Sequence, residues 1–293
     1  MTPSRSYATA GAFRRALEER LKGISQAEPV DLNRLRRQIS FDRLLARLFR
    51  DDAAPWALKG GYALELRFKS ARSTIDIDLT VNSVTRTAEG SESATQVREM
   101  LQERASVSLD DWFEFLIGPP MMDLTAAPYG GARYSIEARM DGRIFARFHL
   151  DAGVGDVVIQ PLETAECRDW LGFAGIEKPR VWMISGEQQF AEKVHAYTLP
   201  RSSQNSRVKD LVDMALLISD GRLDRARVAN ALQLTFARRE THALPPSLSA
   251  PPEDWQSTFK ALAEECGLDP DVTAVFENVR AFLESVLTDS GKR

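Results

Sequence analysis

Lys59-Gly60-Gly61-Tyr62-Ala63-Leu64-Glu65-Leu66, followed closely by Arg72-Ser73-Thr74-Ile75-Asp76-Ile77-Asp78-Leu79, is the stretch whose reading decides the fold. From Ile75 to Val81, branched apolar residues alternate with aspartate or threonine, and that period of two predicts a half-buried strand. Residues two apart on a strand share a face, so Asp76 and Asp78 project side by side with Cα atoms roughly 6.5 Å apart. Two parallel carboxylates repel each other unless a cation stands between them. A Mg²⁺ pair bridging protein carboxylates and substrate phosphates meets that need. Gly60-Gly61 precedes an amphipathic run, where bare backbone and a helix N-terminus can approach a phosphate. A lone Asp-x-Asp is common and a lone Gly-Gly is ordinarily a turn. Their order and spacing together favour a site.

Phosphate cradle, short helix and then paired aspartates on a strand resembles the layout of the polymerase-β-like nucleotidyltransferases. More narrowly, Lys-Gly-Gly-x-x-Leu followed by Arg-x-[Ser/Thr]-x-Asp-[Ile/Leu]-Asp resembles the signature of the AbiEii/AbiGii-type nucleotidyltransferase toxins. These are the toxin halves of bacterial toxin–antitoxin and abortive-infection systems. The matching residues are Lys59, Gly60, Gly61, Leu64, Arg72, Thr74, Asp76 and Asp78, and Tyr62 departs from the threonine or serine of many members. Downstream, Lys193 through Thr198 matches Lys-x₃₋₄-[Thr/Ser/His], and Arg207-Val208-Lys209-Asp210-Leu211-Val212-Asp213-Met214 resembles Arg-x-Lys-Asp-x-x-Asp-[Leu/Met]. Arg239-Glu240-Thr241-His242-Ala243-Leu244-Pro245 resembles a further Arg-x-Thr-His-x-Leu-Pro segment of the family.

At 293 residues the chain is long enough for one large domain or two smaller ones. Apolar content of 43% and charged content of 27% are ordinary for a folded protein and argue against disorder. A formal net charge of −4 excludes a histone-like electrostatic binder but leaves room for a local basic patch. Cys167 and Cys266 stand far apart without metal-ligand spacing, as expected of reduced packing residues in a cytoplasmic protein. With no signal peptide, lipidation motif or membrane-length apolar run, the chain is expected to be soluble and cytoplasmic.

Helices are predicted over residues 7–23 and over Leu32 to Arg50. The second interleaves Ile39, Leu44, Leu45 and Leu48 with Arg34, Arg36, Arg37, Arg43 and Arg47. That basic set reads either as a solvated helical face or as a phosphate-binding rim for RNA. After the aspartate strand, Asn82 to Ser93 is polar and reads as a loop, then Ala94 to Ala105 as a helix and Trp112 to Ile117 as a strand. Ala132 to Met140, Asp141-Gly142 and Arg143 to Asp151 form a hairpin signal, since Asp-Gly favours the primed turns that match strand twist. Arg180 to Ile184 is a short strand. Ser185-Gly186-Glu187-Gln188 fits a capping box that starts a helix at Gly186. Asp210 and Asp213 lie at i and i+3 of the next helix, where acids also complement a helix N-terminus. Leu223 to Arg238 is another helix, the prolines between Pro245 and Glu253 read as a linker, and two helices close the chain.

The fold class expected is α+β: a polymerase-β-like nucleotidyltransferase core, a mixed sheet with flanking helices, within residues 1–184. A mostly helical module over 185–293 supplies Lys193 and Asp210. In polymerase-β-like folds a third metal carboxylate comes from a later strand, and Asp151 is the candidate, with Asp156 behind it. An aspartate that merely ends a strand before Gly153 is the competing reading.

The resemblance implies transfer of a nucleoside monophosphate from an NTP to an acceptor hydroxyl, with the 3′ end of tRNA as acceptor and a cognate antitoxin as partner. Asp76 and Asp78 would hold two Mg²⁺ ions. Lys59, the Gly60-Gly61 amides and Lys193 would neutralise the triphosphate, and Thr74 and Arg72, read as lying on the face of Asp76, would contact phosphate. Asp210 would be a base or would orient one. Competing readings keep the chemistry on a small molecule, as in aminoglycoside-type enzymes, or on a protein side chain. A third reading is an inactive nucleotide-binding regulator.

Overall fold

The computed structural model describes residues 7–28, 30–51, 54–68, 70–81, 91–124 and 127–290. Most of the polar loop expected over Asn82 to Ser93 lies outside these residues. The described chain divides into two compact units. The first comprises Met1–Leu58, Ser73–Gly155 and Thr164–Met183, and the second Lys59–Arg72, Asp156–Glu163 and Ile184–Arg293.

The first unit is built on a mixed sheet flanked by helices. Helices α1 (Ala10–Ala27) and α2 (Leu32–Leu48) open it, and α4 (Ser91–Ala105) follows later. The strands are β1 (Trp56–Lys59), β2 (Asp76–Val81), β3 (Glu114–Asp123), β4 (Gly131–Met140), β5 (Arg143–Val154), β6 (Glu163–Glu166) and β7 (Arg180–Met183). Among the described residues they form one seven-stranded sheet in the order β3-β4-β5-β2-β1-β7-β6. β3, β4 and β5 are antiparallel neighbours, while β2 runs parallel to β5 and β1 parallel to β7.

The β4–β5 hairpin closes through Asp141 and Gly142, whose φ values of 56° and 67° are the paired left-handed residues of a type I′ turn. A bulge between Ala138 and Arg139 then shifts the register by one residue. Beyond it Arg133 pairs with Asp151. On β5, Phe148 packs edge-on against Phe41 of α2, with ring centroids 4.7 Å apart. Side chains alternate along a strand, so His149 and Asp151 project from the sheet face away from α2.

The arginine-rich α2 does not offer the continuous basic face expected. Arg43 and Arg47 are 4% and 1% exposed and converge on Asp111, at 2.6 Å and 2.7 Å. Arg36 lies across Glu18 of α1 at 2.7 Å. The reading of Arg43 and Arg47 as RNA contacts is therefore corrected, because a guanidinium buried on a carboxylate cannot also serve a phosphate outside. Arg34 and Arg37 are half-buried and make no rim by themselves.

The second unit is a helical bundle. It takes in α3 (Gly60–Arg67), α5 (Gly186–Thr198), α6 (Val208–Ser219), α7 (Arg225–Arg239), α8 (Gln256–Cys266) and α9 (Val272–Ser290). Ser185 caps α5 by accepting from the Gln188 amide at 3.2 Å, as the capping-box motif predicts. Leu64 of α3 and Phe190, Val194 and Tyr197 of α5 share one apolar core with α6 to α9. Gly60 opens α3 at φ 68°, a conformation costly for any residue with a Cβ. No described helix is long and apolar enough to cross a membrane.

Asp111 offers a direct test of the first unit. Burial opposes its charge, but Arg47 and Arg43 outweigh that and hold its pKa below the usual carboxylate value. Asp111→Ala leaves two buried guanidinium groups unpaired and is expected to destabilise the protein by about 3–5 kcal/mol in urea unfolding. Replacing all three side chains by leucine or methionine is expected to cost far less.

Candidate active site

The carboxylate face of the first unit is set by strand register. Asp78 and Asp151 are Cα partners across the parallel β2–β5 pairing, as are Asp76 and His149. Partners in register share a sheet face, so Asp76, Asp78, His149 and Asp151 all project away from α2. Arg133 lies among them from β4. Its Nε and Nη2 donate to Asp151 at 2.7 and 2.8 Å, and Nη2 reaches Asp76 at 3.5 Å. His149 Nδ1 lies 3.3 Å from Asp76. Hydrogen bonding to Asp151 raises the Arg133 pKa, against a smaller burial effect and with help from the charges of Asp151, Asp76 and Asp78. A cavity of about 1100 Å³ in the same unit is lined by Arg43, Phe49, Trp112 and Trp182 and includes none of these carboxylates.

The second unit carries two ion clusters. In one, Lys193 Nζ lies 2.8 Å from Asp210 and 2.7 Å from Asp213, and Arg72 makes a two-point contact to Asp213 at 2.8 Å each. Burial weighs against the Lys193 ammonium, yet Asp210 and Asp213 more than offset it and raise its pKa. Asp213 is fully buried, and its pKa is held down by Lys193 and Arg72 in spite of that burial. Asp210 Oδ2 is buried without a hydrogen-bond partner among the described residues, the Arg207 guanidinium standing 3.7 Å away. In the other cluster, Lys59 Nζ binds Asp156 at 2.6 Å and Glu192 at 3.2 Å. Arg239 shares both carboxylates, at 2.9 Å and 3.5 Å. Gln189 Nε2 donates to the Gly60 carbonyl at 2.6 Å.

Two expectations change here. Arg72 does not share a strand face with Asp76. β2 begins only at Asp76, the preceding residues are irregular, and Arg72 is buried on Asp213 in the second unit. Thr74 likewise precedes the strand, and its hydroxyl lies 3.5 Å from the Asp76 carbonyl. Asp156, the reserve third carboxylate, is engaged by Lys59 and Arg239. Residue types alone did not single out Arg133, His149, Glu192 or His195, because their partners come from other elements.

A family model described as nucleotidyl transferase AbiEii toxin, type IV TA system, matches residues 43–285. The chain belongs to this family. This AbiEii protein is therefore a nucleotidyltransferase toxin of a type IV toxin–antitoxin system. Its fold is similar to that of MenT4, a nucleotidyltransferase toxin from Mycobacterium tuberculosis H37Rv, with a TM-score of 0.54 and 15% identity over 94% of this chain and 98% of that one. JHP933 from Helicobacter pylori gives a TM-score of 0.48 at 11% identity, over 90% and 95% of the two chains. No curated protein matches the sequence.

Membership in the AbiEii family implies an NTP substrate, usually a divalent metal ion, and a cognate antitoxin. The donor set fits a hard divalent cation in kind, being three carboxylates on one face of two adjacent strands. Among the described residues, no group of three or more His, Cys, Asp or Glu side chains is gathered to hold a metal. Arg133 is the cation placed between Asp76 and Asp151.

Asp156 ties the Lys59 cluster to pH. Burial would raise its pKa, but Lys59 and Arg239 pull it down to about 2. A depressed folded value contributes stability that is present above the unfolded value near 3.9 and is lost as pH falls towards about 2. Asp156→Asn is expected to lower stability by roughly 2 kcal/mol at pH 7. In urea unfolding at pH 7, 4 and 3 the gap from the parent should narrow as the pH falls. A gap that is constant with pH would show that the Asp156 charge is not what counts.

Proposed function

We propose that this AbiEii toxin transfers a nucleoside monophosphate from an NTP to the 3′ end of tRNA, releasing pyrophosphate and stopping translation in the cytoplasm. The observation that carries the chemistry is the in-register pairing of Asp78 with Asp151, which collects three carboxylates on one sheet face. The acceptor rests on the family resemblance alone. The α2 arginines lend it no support, since Arg43 and Arg47 are taken up by Asp111.

In this reading Asp76, Asp78 and Asp151 would hold two Mg²⁺ ions. When bound, such ions supply Lewis acidity towards the attacking hydroxyl and charge for the leaving pyrophosphate. Arg133, which donates to Asp151 and reaches Asp76, offsets the repulsion among these carboxylates, and a metal ion there would compete with it for Asp76 and Asp151. Lys59 and Lys193 would meet triphosphate charge as compact ammonium groups only by giving up part of their hold on Asp156 and Glu192 or on Asp210 and Asp213, and the Gly60-Gly61 backbone leaves room for phosphate oxygens. Asp210, whose Oδ2 makes no hydrogen bond among the described residues, would accept the proton of a hydroxyl or orient it, while Asp213, itself held by Arg72, fixes Lys193.

Purified protein, total RNA, Mg²⁺ and each labelled NTP in turn test this reading. The parent should label RNA of tRNA size with one NTP preferred. Asp78→Ala should lower transfer by about 10²–10³-fold, the range for losing one aligned charge in a transition state, and should abolish growth arrest. Lys193→Ala should lower transfer strongly, with Lys193→Arg restoring it only in part, because a planar fork seats phosphate differently. Labelling of protein or of a small molecule in place of RNA would overturn the acceptor, and full activity of a folded Asp78→Ala would overturn the metal assignment.

A further inference from the structure

The segment after α7 takes no part in the chemistry just described, yet it is wired to Lys59. α7 ends at Arg239, and Glu240 adopts a left-handed conformation at φ 51°. Thr241 and His242 of this segment meet His195 and Thr198 of α5. Arg239 donates to Asp156 at 2.9 Å and approaches Glu192 at 3.5 Å, the two carboxylates that also hold Lys59. Its Nη1 lies 3.3 Å from His195 Nδ1.

With the Thr198 hydroxyl donating to the Val194 carbonyl at the other end, one set of bond directions satisfies every contact between. A guanidinium has only donors, so His195 Nδ1 must accept, and the neutral ring carries its proton on Nε2. Nε2 lies 2.8 Å from Thr241 Oγ1 and donates to it. The single Thr241 hydroxyl proton is left for His242 Nδ1 at 3.0 Å. His242 in turn carries its proton on Nε2, 2.8 Å from Thr198 Oγ1, and Thr198 donates to the Val194 carbonyl at 2.9 Å. Each donor is used once, and the chain ends on the α5 backbone. Burial, Arg239 and His242 push the His195 pKa down to about 3, with Asp156 acting weakly the other way. The ring therefore stays neutral at physiological pH, and its Nδ1 lone pair stays available to Arg239. Arg201 acts on His242 in the same sense, after burial.

We propose that His195 is a positioning residue: held in one tautomer by Thr241, His242 and Thr198, it fixes Arg239 and, through Asp156 and Glu192, the ammonium of Lys59. The Arg239-Glu240-Thr241-His242 segment is then an aligning strap for a phosphate contact. As to phosphate, this rests on the role of Lys59 proposed above.

Thr241 is exposed, so Thr241→Val interrupts the chain without disturbing the core, and Thr241→Ser preserves it. Three readouts on the full chain separate alignment from bulk stability: ¹⁵N spectra of His195, the rate at which an amine-acylating reagent labels Lys59, and the Kd for NTP by calorimetry. The parent should show His195 protonated on Nε2 alone. Thr241→Val should show mixed tautomers, several-fold faster Lys59 labelling and a Kd raised by about fivefold, the loss expected for one hydrogen bond between neutral groups. Thr241→Ser should restore all three. Unchanged tautomer or unchanged Lys59 labelling in Thr241→Val would overturn the strap. Faster labelling with no NTP binding even by the parent would uphold the strap and remove the phosphate role of Lys59.

Discussion

Three carboxylates on one face of two adjacent strands cannot stay together without positive charge among them. Asp76 and Asp78 are placed by the period of β2, and Asp151 is fixed opposite Asp78 by the parallel pairing with β5. Ile77 and Leu79, which are fully buried, prevent the strand from turning those aspartates away. A slip of one residue would bury both carboxylates in the apolar face, at a cost of several kcal/mol each. Sheet packing therefore enforces the charge concentration, and Arg133 meets it from β4.

The second unit answers the same problem with matched ion sets. Lys193 and Arg72 face Asp210 and Asp213, and Lys59 and Arg239 face Asp156 and Glu192. Each set has two positive and two negative members, so neither leaves a buried net charge. A lysine held this way loses little further rotamer freedom when it meets a ligand, which is how a fixed ammonium differs from a surface one. Keeping Lys59 aligned costs a second cation, Arg239, that must itself be held. The histidine–threonine chain supplies that support without adding charge.

Much of this was legible in the sequence, and the failures have identifiable causes. The Asp76–Val81 alternation, the Asp141-Gly142 turn and the Ser185 cap each carry a local signal, and each predicted its element. Arg133 was legible only in part. The buried residues Ala132, Tyr134, Ile136, Ala138 and Met140 of β4, and Ala146, Phe148, Leu150 and Ala152 of β5, fall on even numbers, whereas Phe145, also buried, is the residue the register shift leaves unpaired. Yet a turn pairing Met140 with Arg143 gives an odd sum of residue numbers. That parity conflict requires a bulge, and the bulge is what brings Arg133 opposite Asp151. β6, Glu-Thr-Ala-Glu, has no apolar alternation to read. The arginines of α2 misled because a charge reads as solvated until its partner is known, and Asp111 lies far along the chain. Arg239, Thr241 and His242 stood out as a motif, but their purpose depends on His195 of α5.

The most direct measurement of the central claim is Mn²⁺ binding followed by electron paramagnetic resonance, with Mn²⁺ standing in for Mg²⁺. The parent, Asp78→Asn and Arg133→Ala should each be titrated with and without a non-hydrolysable NTP. The account predicts saturable binding in the parent that NTP tightens, loss of that binding in Asp78→Asn, and tighter binding in Arg133→Ala because the competing cation is gone. Equal binding by the parent and Asp78→Asn would contradict it.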